Sequence, residues 1–240
     1  MVIDTLRLPS NGMLGVPQEI EVKALTGKEL NMVYSSLSDA SINEIIRRIT
    51  VPSLDPLTLC DEDKGAILYF TRLLTFGNDI TQFLKCPHCG KVHEVVAHYS
   101  DFIMHYLDDF TSTFNLDNGD KVYKRIPTAE IQKEIDYFKE KHSVGSLDSY
   151  LLYLLARIEK VVTSKGETIS NRLLLFHYLG DLPGKSFGDI VENIKTQFGL
   201  EVTFPAECPE TDREFLGVVG INADFFRFSN SNVPLGDEQA

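Results

Sequence analysis

The chain has 240 residues, 43% hydrophobic and 24% charged, enough for one large core or two small ones. Its 35 acidic against 23 basic residues leave a net charge of −12, a surface that repels phosphate backbones and excludes nucleic acid as a main partner. Residues 1–5 carry no basic-then-apolar leader, no apolar run approaches ~18 residues, and four cysteines are too few for a disulfide framework, so no membrane span and a reducing cytoplasm are expected.

The stretch 6–15, mixing Pro, Ser, Asn and Gly, predicts a short strand entering a turn. Polar and apolar residues alternate over 18–25, and Thr26 then reads as a helix cap with Glu29 completing a capping box. Ile42, Ile45, Ile46 and Ile49 recur at helical spacing and predict a short amphipathic helix over 41–50, broken by Pro52 and Pro56. A stronger helix is expected over 61–76, opened by Asp61, Glu62 and Asp63 and stopped by Gly77. Residues 80–84 and 92–97 are β-branched and alternating, and flank CPHCG as a hairpin.

A second series follows. A strand after Asn118 leads to Thr128 as a cap, then helices are expected over 129–141, 147–162 and 170–179 and from near Ser186 to Gly199. Residues 200–221 read again as strand, Cys-Pro turn, strand. Cys86 aligns with Cys208, Pro87 with Pro209 and Cys89 with Thr211, and each outgoing strand reaches an Asp-Phe pair, Asp101-Phe102 and Asp224-Phe225. Cap to cysteine spans about 60 residues in the first series and about 80 in the second, as an internal duplication with a helical insertion would give. The expected fold class is therefore α+β and mainly helical, with two strand–CP-turn–strand hairpins resembling a split zinc ribbon. The expected units are 1–115 and 116–228, forming one body, with a mobile tail over 229–240.

Three motifs fail on spacing. His93 to His98 (HEVVAH) has histidines five apart where a zinc protease needs four, and on a strand that odd separation points them to opposite faces. Gly180 to Ser186 (GDLPGKS) is one residue short of a phosphate loop and places Pro183 where a backbone donor is needed, so it reads as a turn with Ser186 as the next cap. Cys86 follows a strand, whereas a redox CxxC usually opens a helix. His105, His142 and His177 read as surface or core histidines and Cys60 as a small packed side chain; no nucleophile–base pair survives, so no enzyme is expected.

Two readings of the knuckle stay open. In one, Cys86 and Cys89 bind zinc with Cys208 as third ligand and His93 as the best placed of His88, His93 and His98 for the fourth position, since Thr211 is not a serviceable ligand. In the other, the hairpins hold by packing alone and the cysteines stay reduced and metal-free.

The LPSNG turn, EVKALTGKE, paired short helices, CPHCG between strands and a terminal Ile221-NADFFRF run resemble the baseplate hub and hub-assembly chaperone family of contractile-tailed, T-even-type bacteriophages, over nearly the whole chain. The resemblance implies CPxCG at both knuckles, from which this sequence departs at Thr211 and Asp212. It also implies a non-enzymatic role in the infected host's cytoplasm or in the virion, with the baseplate hub or tape-measure protein as partner. A zinc-ribbon adaptor unrelated to a virion is the alternative.

Overall fold

Polar caps and apolar spacing place the first half of the chain in the computed structural model, which describes residues 2–222 and 224–227. Strand β1 (Ile3–Arg7) pairs antiparallel with β2 (Glu19–Lys23), whose Ile20 and Val22 alternate into the core. Thr26 and Glu29 close the expected capping box on helix α1 (Gly27–Ser35). Ser38 caps α2 (Asp39–Ile49), which buries Ile45, Ile46 and Ile49, and β3 (Thr50–Val51) then joins the edge of β2. Helix α3 (Asp61–Phe76) spans the predicted residues, with three acidic residues against its positive end and Gly77 at φ +86 ending it. Strands β4 (Asp79–Lys85) and β5 (Val92–His98) form the first hairpin.

A second body of structure is inserted next. Strands β6 (Ile103–His105), β7 (Thr113–Asn115) and β8 (Lys121–Lys124) lead to α4 (Ala129–Lys141), capped by Thr128 as expected. Helix α5 (Ser149–Arg157), strands β9 (Ile158–Val162) and β10 (Thr168–Ile169), and helices α6 (Arg172–Gly180) and α7 (Gly184–Asn193) follow. The sheet runs β10-β9-β8-β7, and Val122, Ile135, Leu154, Leu155, Val161, Leu175 and Ile190 are buried around it in a core drawn from residues 116–194.

The chain then returns. Strand β11 (Gly199–Glu201) pairs with β6, and β12 (Thr203–Glu207) with β13 (Glu214–Val218) forms the second hairpin. Phe204, Ala206, Cys208, Phe215, Val219, Phe225 and Phe226 of this last stretch are buried with Leu6, Ile20, Ile46, Ile67, Ile80 and Ala97 of the first. Tyr34 and Tyr69 donate hydroxyl hydrogen bonds to the carbonyls of Phe226 and Val219. Arg72 of α3, fully buried, spreads its guanidinium over three carbonyls: Phe225 at 3.2 Å, Gly77 at 2.6 Å, and Asp79. Burial lowers its pKa to about 10, which leaves it charged at neutral pH.

Two expected helices are corrected. The run 147–162 is helical only to Arg157: β-branched Ile158, Val161 and Val162 extend as β9, because β8 offers them a ladder with Val122 opposite Val161. The helix expected from Ser186 starts at Gly184 after Pro183 and ends at Asn193; Ser186 is buried inside its first turn, and Gly199 opens β11 at φ +111. Strands are more prominent than a mainly helical reading implied, with thirteen of them in five small antiparallel sheets among the described residues. The tail over 229–240 lies outside those residues. Among the described residues no helix is long and apolar enough to cross a membrane.

The second core has its own polar centre. Asp120, buried in the turn before β8, accepts from the Ser164 amide at 2.7 Å, the Tyr178 hydroxyl at 2.6 Å and the Asn118 side chain at 2.8 Å. Burial opposes its charge, but these three donors outweigh it and hold the carboxyl below the usual carboxylate range. A depressed folded-state pKa stabilises above the unfolded-state value and is lost as pH falls through the folded one. Asp120→Ala is expected to cost about 2 kcal/mol at pH 7, and urea titrations should show the gap to wild type narrowing in acid as the native carboxylate is protonated.

Candidate metal centre

The two Cys-Pro turns have the same backbone. In the first, the Cys86 amide donates to the Lys91 carbonyl at 2.8 Å and the Gly90 amide to the Cys86 carbonyl at 2.9 Å. In the second, Cys208 donates to Arg213 at 2.9 Å and Asp212 to Cys208 at 2.9 Å, the same offsets along the chain. The residue fifth from the strand end takes positive φ in both, Gly90 at +74 and Asp212 at +49. Asp is among the side chains that tolerate this region, which is why the second turn keeps its shape without the expected glycine. A Cβ at Gly90 would touch nothing within 4 Å, so glycine is needed there for φ alone. Gly90→Ala should therefore cost about 1 kcal/mol by urea unfolding, with no steric disruption.

The inner faces of the hairpins pack closely enough to join the turns. At Gly217 of β13 an added Cβ would lie 2.7 Å from both Leu84 of β4 and Phe204 of β12. Across the seam the Lys91 ammonium pairs with Glu210 at 2.6 Å, and His88 Nε2 bonds the Glu214 carbonyl at 3.0 Å. Cys86, Cys89, His93 and Cys208 are thereby gathered with one donor atom each, all within 4.8 Å of one another, close enough to hold a zinc ion. Three come from the first hairpin and one, Cys208, from the second.

The spacing fits a tetrahedral ion. With zinc–sulfur bonds of ~2.3 Å and zinc–nitrogen bonds of ~2.0 Å, donor atoms at tetrahedral angles lie ~3.8 Å apart for two sulfurs and ~3.5 Å for sulfur and nitrogen. Cys89 Sγ is 3.7 Å from Cys208 Sγ, and His93 Nε2 is 3.1 Å from Cys89 Sγ and 3.8 Å from Cys208 Sγ. Cys86 and Cys208 are fully buried, while Cys89 and His93 are half-buried. Two hairpins far apart in the chain thus bring three thiols and an imidazole nitrogen within reach of one ion.

Thr211 occupies the place of a fourth cysteine without acting as a ligand. Its side chain bonds the Cys208 sulfur and, with backbone amides and Cys86, brings that thiol down to about 6, toward the thiolate a metal takes. The Lys91 amide favours the Cys89 thiolate, but burial and the neighbouring Cys208 and Cys86 thiols outweigh it and push Cys89 up. The His88 amide points at Cys86 Sγ at 3.3 Å.

The other singled-out residues lie elsewhere. His98 leaves the opposite face of β5 and bonds Asp79 at 2.9 Å, and His88 is used on Glu214, so neither joins the cluster. His105 meets Glu201 at 3.2 Å across the β6–β11 pair, a partner 96 residues away that sequence proximity does not reveal. His142 packs on Phe138 and His177 against Phe176. Gly184 and Lys185 open α7, with Lys185 paired to Asp117, and Cys60 is buried just before α3.

Residues 3–227 match the model of a family described as T4 bacteriophage base plate protein. No curated protein and no solved structure matches this chain. The matched span takes in both hairpins and the inserted second core.

Proposed function

Because this chain belongs to the T4 bacteriophage base plate protein family, we propose that it takes part in assembly of the baseplate hub by binding, as a chaperone of hub or tape-measure protein or as a baseplate component. The observation that carries this reading is the family match over residues 3–227, both hairpins included. The donor set adds a chemical reason to favour binding over catalysis. Four protein ligands close a zinc site, whereas catalytic zinc keeps a position open for water or substrate. Cys86, Cys89, His93 and Cys208 would hold the ion, and its contribution when bound is a cross-link between hairpins far apart in the chain.

The two units, 1–115 and 116–228, are proposed as duplicated halves in which the second returns its hairpin to the core of the first. The matching turn hydrogen bonds and the positive φ at Gly90 and Asp212 support this reading. Its proposed setting is the cytoplasm of the infected host or the virion. Purified virions separate the two roles: a subunit is present at fixed copy number and a chaperone is absent. Co-expression with the hub and tape-measure proteins of the same phage, followed by pull-down, should retain at least one of them. Retention of neither would overturn the proposal.

A further inference from the structure

The second hairpin buries one face and leaves an apolar strip on the other. Phe204, Ala206, Phe215, Gly217 and Val219 point inward, so the outer face consists of three cross-strand pairs: Thr203 with Val218, Pro205 with Leu216, and Glu207 with Glu214. Leu216 is 77% exposed and Val218 56%, with Pro205 exposed beside them. Next to this apolar strip two glutamates stand directly opposite each other, a like-charge pairing that destabilises a sheet. Neither has an ion-pair partner among the described residues. The outer face of the first hairpin also exposes apolar side chains, Phe83, Val92 and Val96, but there a basic Lys85 accompanies the acidic Glu94.

We propose that the outer face of the β12–β13 hairpin docks a protein segment in which apolar residues cover Pro205, Leu216 and Val218 and a Lys or Arg sits over Glu207 and Glu214; this rests on the binding role proposed above. The charge selects the occupant. A second copy docked face to face by two-fold symmetry brings no Lys or Arg to either glutamate, because the strip itself carries none, and would bury both unpaired. Anionic lipid and nucleic acid are repelled by the pair and by the net charge of −12. A basic, apolar segment satisfies both halves of the strip at once.

The test uses the full chain co-expressed with the hub and tape-measure proteins of the same phage, with affinity measured on whichever is retained. Expected results are weaker retention at higher salt, a loss of about tenfold or more for Glu207→Lys/Glu214→Lys and for Leu216→Ser, and no change for Glu94→Lys on the other hairpin. The thermal midpoint of the double lysine variant should stay close to wild type, since one like-charge pair replaces another and both sites are exposed. Retention by wild type and both variants alike would overturn this surface and leave the baseplate reading standing. Retention of neither protein by wild type would remove both. A wild-type dimer that Leu216→Ser dissolves, or vesicle binding through the same residues, would overturn the choice of occupant.

Discussion

Protein purified without chelator should contain about one zinc per chain, and stripping it should lower the thermal midpoint by roughly 10 °C. The size follows from mass action: an ion bound only by the native state at a thousand times its dissociation constant adds about 4 kcal/mol. Both buried cores remain without it, so the chain is expected to lose its hairpin junction first and not to unfold outright, unlike a zinc finger. Cys208→Ser should reproduce the effect, because it removes the one ligand supplied by the second hairpin and leaves the first with three. Chelator should then shift the wild-type midpoint and leave that of Cys208→Ser unmoved. Absence of metal by elemental analysis, with Cys208→Ser melting like wild type, would rule the site out.

Arg72→Met is expected to cost about 4 kcal/mol, roughly a quarter or more of the stability of an ordinary domain. Methionine fills much of the volume, so the loss comes from the carbonyls of Phe225, Gly77 and Asp79, which would be buried without donors. Those carbonyls belong to the C-terminal return, the end of α3 and the start of β4, so one side chain ties the last stretch of chain to the base of the first hairpin. Arg72→Lys should recover only part of the loss, since an ammonium cannot spread three donors as a planar guanidinium does. Urea unfolding of the three proteins measures this; a cost below about 1 kcal/mol for Arg72→Met would show that water replaces the guanidinium.

Elements whose causes are local were legible in the sequence. Thr26 with Glu29, the acidic first turn of α3 with Gly77 behind it, and Thr128 before α4 are all contained within a few residues, and the structure follows them. Each Cys-Pro turn was legible for the same reason. Residues 158–162 were not, because their alternative to helix was a ladder on β8, a partner whose register no local pattern reveals. Nothing in the local pattern singles out Arg72 or Asp120. Their burial depends on the return of residues 204–226 to the first core and on the packing of α6 and β9 around the second.

The candidate metal set divides along the same line. The sequence by itself determined which side chains can bind zinc, and the strand periodicity that sends His93 and His98 to opposite faces. It also determined two turns able to take the same form, one with glycine and one with Asp212 at the position of positive φ. Only the tertiary structure decided that Cys208 would stand 3.7 Å from Cys89 across 119 residues, with His93 and not His98 beside them. The reason is one of range: hydrogen bonding and φ act between neighbours along the chain. The meeting of two hairpins is set instead by the apolar area they bury together and by how closely Gly217 lets Leu84 and Phe204 approach.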